Sequence, residues 1–281
     1  MEEGALTKYG AWLRVGVFLV FGFTGQLLMP WLFLPMGILA AAALGTFAAS
    51  AFATFLCLRV FERTNFFNVG LRWHSASIKI LGYGVAIGAG AALLVTIVPL
   101  LMGLAEFKPR PETPFSLASI FYVSGLLLFG VAGEEILFRG YGFQVLAANL
   151  GHYQALLPIS VLFAAAHMGN ANASKLSLFV TFLWGVVLGY AFLRARDLWL
   201  PIGIHFGWNV TLPLVGVQLS GFTMGLTGYQ LVWKTSDLWS GGAYGPEGGL
   251  IGMLVIPVVF FVVHRAPVVT QTAYLMTPGE E

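Results

Sequence analysis

Charge is scarce in this chain. Only 9% of its 281 residues are charged, 14 Lys and Arg against 12 Asp and Glu, and the net charge is +2. No basic run exists that could neutralise a phosphate backbone, so nucleic acid is excluded as a partner. Cysteine is limited to Cys57, inside an apolar run. It can form no intrachain disulfide and no metal site by itself, and it reads as a buried packing residue. No polar stretch is long enough to fold as a soluble domain, and no internal repeat is visible. Met1–Arg14 followed by an apolar run imitates a signal peptide. That run is longer than a signal core and a second follows at once, so it reads as a retained first helix.

What is abundant is hydrocarbon. The chain is 58% hydrophobic, with a mean hydropathy of +0.84, where a soluble domain rarely exceeds about half apolar. It reads as one all-α transmembrane domain over 1–281, a polytopic membrane helix bundle. Runs of roughly 17 to 25 apolar residues are candidate spans. Eight runs qualify, at about 12–30, 36–60, 77–104, 115–148, 154–168, 175–194, 198–216 and 248–265. Pro30 and Pro35 punctuate the first gap, Phe61–Ser77 is a polar loop, and the proline-rich Glu106–Pro114 ends a helix. The fourth run is too long for one straight span and is expected to protrude, tilt, or bend near Gly130 and Gly133. Gly221–Gly249 is a glycine-rich connection expected at the membrane surface, with Trp233, Trp239 and Tyr244.

With eight spans, one side takes Lys8, Arg14, Arg59, Arg63, Arg72, Lys79, Arg194, Arg196 and Arg265. The other takes Lys108, Arg110, Lys175 and Lys234. The excess places both termini in the cytoplasm. The compact termini and the absence of a retention signal point to a prokaryotic plasma membrane.

Three charges interrupt the fourth run, in Gly133-Glu134-Glu135-Ile136-Leu137-Phe138-Arg139-Gly140. Ionised groups at membrane depth persist when they face the bundle interior, pair, or do chemistry. On a helix, Glu135 and Arg139 stand i,i+4 with the acid first, the better order for a pair. Glu134 points about a quarter turn away, without an adjacent cation and free for acid–base work. The plainer reading is a single structural ion cluster.

Two further polar groups sit in apolar helices. His167 ends Phe163-Ala164-Ala165-Ala166-His167, whose small residues leave space beside the ring. His205 and Asn209 are i,i+4 on one face of the seventh run, with Gly203 and Gly207 on roughly the opposite face, where a neighbouring helix could come close. Gly82, Gly84, Gly88 and Gly90 on the third helix, and Gly185 with Gly189, offer similar close approach. Each histidine, and Asn209, has a plainer reading as a hydrogen-bonded packing residue. His74, His152 and His264 read as interfacial. Lipid would penalise Glu134, His167, His205 and Asn209 separately, so they are expected to meet inside the bundle.

No residue looks like an activated Ser or Cys nucleophile. A carboxylate and a histidine can deprotonate a water, and a second histidine with an amide can donate to a developing oxyanion. That set suits hydrolysis of an amide without a covalent intermediate. The competitor is zinc held by Glu134, His167 and His205, although no His-Glu-x-x-His signature is present. A transporter or a non-catalytic immunity scaffold is the third possibility, but no paired broken helices in two similar halves support the former.

Glu134-Glu135-x-x-x-Arg139, then Phe163-x-x-x-His167, then His205-x-x-x-Asn209 resemble the three motifs of the CAAX protease and bacteriocin-processing (abortive-infection) family of intramembrane endopeptidases. The resemblance covers about 115–213. It implies eight helices around a polar cavity sunk into the membrane. By position it assigns Glu134 and His167 to activating water and His205 and Asn209 to the oxyanion, with Glu135, Arg139 and Phe163 as supporting motif residues. It implies a glutamate-dependent peptidase without a cofactor, zinc being the alternative, acting on a peptide or protein substrate, prenylated or not, at the lipid bilayer. The substrate's identity and the oligomeric state are not implied.

One tension is built into these boundaries. His205 lies about 13 Å below the face carrying Arg196, and His167 about 21 Å along a helix entering from that face. They meet only if the fifth helix tilts or begins later.

Overall fold

Each of the eight apolar runs folds as helix, since a chain in hydrocarbon must satisfy its backbone polar groups internally. The computed structural model describes residues 8–276. The expectation of cytoplasmic termini concerns chain ends outside the described residues. The elements in order are α1 (Lys8–Leu28), α2 (Pro30–Phe33), α3 (Ile38–Cys57), α4 (Ser77–Leu101), β1 (Ala105–Pro109), α5 (Leu117–Arg139), α6 (Tyr141–Leu150) and α7 (His152–Ala166). There follow α8 (Lys175–Ala195), α9 (Trp199–Leu214), β2 (Tyr229–Trp233), α10 (Asp237–Ser240) and α11 (Leu250–Arg265).

Five helical segments among the described residues are long and apolar enough to cross a membrane: Tyr9–Met36, Ile38–Glu62, Ser77–Leu101, Leu117–Leu150 and Lys175–Ala195. The helices α7, α9 and α11 have 15 or 16 residues. Such a helix is about 22–24 Å long, short of a hydrocarbon core of about 30 Å. The eight expected runs are therefore eight helical regions of which five have full spanning length. The protein is an all-α integral membrane bundle.

The fourth run does not bend where expected. It breaks at Gly140, whose φ of −74° and ψ of −127° leave the helical region and separate α5 from α6. The freed Arg139 carbonyl accepts from Gln144 Nε2 at 3.1 Å, and the same amide nitrogen donates to Val69 O at 2.7 Å. Gly133 has a different use. A Cβ there would come within 2.6 Å of Phe47 N, so its bare backbone lets α3 lie against α5.

The closest seam joins α4 to α9. A Cβ on Gly84 would meet Leu200 O at 2.6 Å, and one on Gly88 would strike Ile204 O. From the other side, Gly203 and Gly207 face Leu81 O and Val85 O. Interleaved glycines of this kind allow backbone-to-backbone packing where no hydrophobic effect drives helices together. Of the four glycines expected to matter on α4, Gly82 and Gly90 have open space instead. Gly185 lets Ser160 approach, and Gly189 lets Leu156 approach, docking α7 on α8.

The first helix is packed into the bundle. Its Phe18 lies against Tyr141 of α6, and its Arg14 pairs with Glu62 at 2.7 Å. Glu62 also accepts from Tyr141 OH at 2.9 Å. Cys57 is buried and free, as its apolar surroundings suggest.

Two features depart from the sequence reading. The proline-rich stretch after α4 is in part a strand, since β1 pairs antiparallel with β2 from Ala105↔Trp233 to Pro109↔Tyr229. Lys234 and Lys108 both reach Glu106, at 2.6 and 3.0 Å, and their hydrogen bonds hold that carboxyl below its usual range. The glycine-rich connection is also not purely superficial: Tyr244 is 2% exposed, and Glu247 is buried too.

Candidate active site

The site grows from the last turns of α5. Glu135 and Arg139 form the expected pair, Nη1 to Oε1 at 3.1 Å, with side-chain exposures of 0% and 1%. A buried pair repays its desolvation only with support from further hydrogen bonds. Arg139 Nη2 donates to Gly185 O of α8 at 3.0 Å, and its guanidinium lies 4.4 Å from the Phe163 ring centroid of α7. Glu135 Oε1 also accepts from His205 Nδ1 of α9 at 2.8 Å. The pair thus ties α5 to three other helices. Glu135 does more than the support expected of it, because it sets the orientation of His205 directly.

Phe163 is the packing centre beneath the rings. Its centroid is 5.1 Å from that of Phe138, 4.7 Å from that of His167 and 6.1 Å from that of His205. Its carbonyl accepts from His167 Nδ1 at 2.8 Å. A carbonyl and a carboxylate can only accept, so both histidines carry a proton on Nδ1. That turns both Nε2 atoms to the same partner. His167 Nε2 and His205 Nε2 each lie 3.9 Å from Glu134 Oε2. The gap exceeds a direct hydrogen bond and suits a bridging water or substrate oxygen.

Glu134, His167, His205 and Asn209 all line one cavity of about 410 Å³. The convergence predicted from lipid cost is realised. It does not come from a late start of the fifth apolar helix, since α7 begins at His152, slightly earlier than expected. His74, His152 and His264 lie elsewhere, all exposed; His264 Nδ1 meets Tyr190 OH at 2.7 Å.

The helix carrying His205 and Asn209 is anchored ahead of its first turn. Asp197 Oδ1 accepts from the backbone N–H groups of Trp199 at 3.1 Å and Leu200 at 3.3 Å. Burial pushes the Asp197 carboxyl up to about 7, against the opposing effect of those two N–H groups.

The sequence reading missed Glu247. Its Oε1 accepts from Trp208 Nε1 at 2.7 Å, and its Oε2 from Ser220 N at 2.6 Å and Ser220 Oγ at 2.8 Å. It lines the cavity and fastens the loop after α9 to the residue beside Asn209. The available signal was an acid within Gly245-Pro246-Glu247-Gly248-Gly249, directly before the last apolar run. Gln26 and Thr46 also line the cavity, from helices that carry no motif.

The candidate zinc ligands are Glu134, His167 and His205. Among the described residues no group of three or more His, Cys, Asp and Glu side chains is arranged to hold a metal ion. The acceptors behind the rings, a carboxylate for His205 and a carbonyl for His167, are nevertheless of the kind that orient metal-bound histidines.

Residues 114–211 match the family described as type II CAAX prenyl endopeptidase Rce1-like. The matched segment holds Glu134, Glu135, Arg139, Phe163, His167, His205 and Asn209, and the resemblance drawn from the three motifs stands. A search of curated proteins finds no match to the chain.

Proposed function

We propose, from the CAAX-endopeptidase likeness of residues 114–211, that this chain is a glutamate-dependent intramembrane endopeptidase. The observation that supports it most is the placing of one oxygen, Glu134 Oε2, 3.9 Å from two imidazole Nε2 atoms. A water held between Glu134 and His167 gives up a proton to this pair as its oxygen attacks the peptide carbonyl carbon. The carbonyl oxygen becomes an oxyanion, and His205 and Asn209 donate to it. In that role His205 carries both ring protons, Nδ1–H held by Glu135 and Nε2–H turned to the oxyanion. His167, backed by a neutral carbonyl, keeps its Nε2 lone pair free. The proton taken from water is then delivered to the leaving nitrogen as the C–N bond breaks. The substrate is a peptide or protein presented at the bilayer, prenylated or not, and the setting is a prokaryotic plasma membrane.

The acceptors behind the two rings also suit zinc chemistry. A metal on Glu134, His167 and His205 would act as a Lewis acid on the carbonyl oxygen. One experiment separates the readings. Purified wild type and Glu134→Gln are assayed on peptides with and without a C-terminal farnesyl-cysteine, each with and without chelator. The expected result is cleavage that survives chelator and falls by at least about a hundredfold in Glu134→Gln. Loss on chelation assigns the chemistry to the metal. Full activity in Glu134→Gln overturns the glutamate role. A wild type that cleaves nothing, with a bacteriocin-immunity phenotype intact in Glu134→Gln, supports a scaffold.

A further inference from the structure

Two buried hydrogen-bond donors on the cavity wall have no acceptor among the described residues. One is Nε1 of Trp184 on α8, a side chain only 7% exposed. The other is Nε2 of Gln26 on α1. Buried polar groups in folded proteins are paired almost without exception, so each unpaired one calls for a reason. The local contrast is sharp. Trp184 packs on Trp208 with centroids 4.8 Å apart, and the Trp208 N–H is satisfied by Glu247 at 2.7 Å. The N–H of the second indole of this pair has nothing. Gln26 is likewise half-satisfied: its Oε1 accepts from Thr46 Oγ1 at 2.9 Å, which leaves its NH₂ over.

The two donors flank the helix that carries Glu134. Trp184 precedes Gly185, whose carbonyl receives Arg139 of α5. Thr46, which holds Gln26, lies against the other side, where a Cβ on Gly133 would come within 2.9 Å of its carbonyl carbon. An indole N–H can only donate, so its ligand must accept. The carboxylates of Glu134 and Glu247 line the same cavity and disfavour an anion. A hydrocarbon chain offers no acceptor at all. An extended peptide offers uncharged carbonyl oxygens at regular intervals of about 3.3 Å per residue.

We propose that Trp184 and Gln26 are substrate-binding residues that each take a main-chain carbonyl oxygen of an extended peptide, one on either side of the bond held at Glu134. This rests on the peptidase reading and deepens it, since affinity would come from backbone contacts and sequence selectivity would be low. The test uses Trp184→Phe and Gln26→Leu, which keep bulk and remove the donor. Binding of a fluorescently labelled peptide that the wild type cleaves is measured on the full-length chain carrying Glu134→Gln. Each substitution is expected to weaken binding about three- to tenfold. The same peptide is then made with single amide bonds replaced by E-alkene isosteres. One isostere position should lose affinity for the parent but not for Trp184→Phe, and a different one should behave so with Gln26→Leu. A merely structural role would lower binding of every isostere alike. If the wild type cleaves and both variants bind as tightly as the parent, or if every isostere penalty is additive with both substitutions, this inference is overturned and the peptidase reading stands. If the wild type neither binds nor cleaves any peptide, the peptidase reading falls and this falls with it.

Discussion

His205 and Arg139 meet on a single oxygen. Glu135 Oε1 accepts from His205 Nδ1 at 2.8 Å and from Arg139 Nη1 at 3.1 Å, so one buried carboxylate both neutralises the guanidinium and aims the imidazole at Glu134. The consequence is that Glu135 carries structure and chemistry together.

Glu135→Gln tests the chemical half. The amide keeps the shape, yet it can present a donor where His205 needs an acceptor. Cleavage should fall by at least about a hundredfold, as expected when the protonation and aim of an acid–base group are disturbed. Steady-state kinetics on the purified variant would check this. Wild-type kcat in folded Glu135→Gln would show that His205 does not depend on it.

Arg139→Ala tests the structural half. Removing one member of a buried pair strands the other charge, at a cost of about 3–5 kcal/mol. The expected outcome is a low folded yield and a strongly reduced Tm in detergent, whatever happens to cleavage. An unchanged Tm would mean that Glu135 is sufficiently held by His205 alone.

The glycine seam predicts opposite effects from one substitution at neighbouring positions. Gly88→Ala drives a methyl into Ile204 O and should lower Tm markedly, with loss of activity as α9 moves. Gly90 has open space around it, so Gly90→Ala should be neutral or stabilising by about 0.5–1 kcal/mol through helix propensity. Equal behaviour of the two in thermal unfolding would refute the seam.

Asp197 predicts a pH dependence outside the spanning helices. Its carboxyl is raised from 3.8 to about 7 by burial, so the folded state holds a proton that the unfolded chain gives up. Its contribution is fully present below about pH 4 and is lost as pH rises through about 7, with a slope approaching about 1.4 kcal/mol per pH unit. Asn can still accept from the Trp199 and Leu200 N–H groups. Asp197→Asn should therefore flatten the decline of Tm between pH 5 and pH 8. A wild type and variant with parallel pH profiles would remove Asp197 as the cause.

The helical bundle and the meeting of Glu134, His167, His205 and Asn209 could be read from sequence because lipid makes both compulsory. Apolar runs must be helices, and polar side chains within them must find one another. The i,i+4 spacing of Glu135 and Arg139 gave their pairing for the same geometric reason. Three things were less visible. The break at Gly140 depends on the Gln144 amide, which donates both to the freed Arg139 carbonyl and to Val69 O, in a segment distant in the chain. The β1–β2 ladder joins two stretches more than a hundred residues apart, neither with clear alternation. Glu247 lay in a glycine-rich segment whose path back into the cavity no local pattern records.

The break at Gly140 also fixes the phase of the site. Because α5 stops at Arg139, the acids and the base occupy its final turns, and nothing beyond can absorb a shift. One residue inserted between Glu135 and Arg139 would rotate the guanidinium by about 100°, away from Glu135, Phe163 and the Gly185 carbonyl at once. The spacing of this motif is thus held by helix pitch as firmly as by chemistry, and a change in length there should be at least as damaging as loss of Glu135 or Arg139 itself.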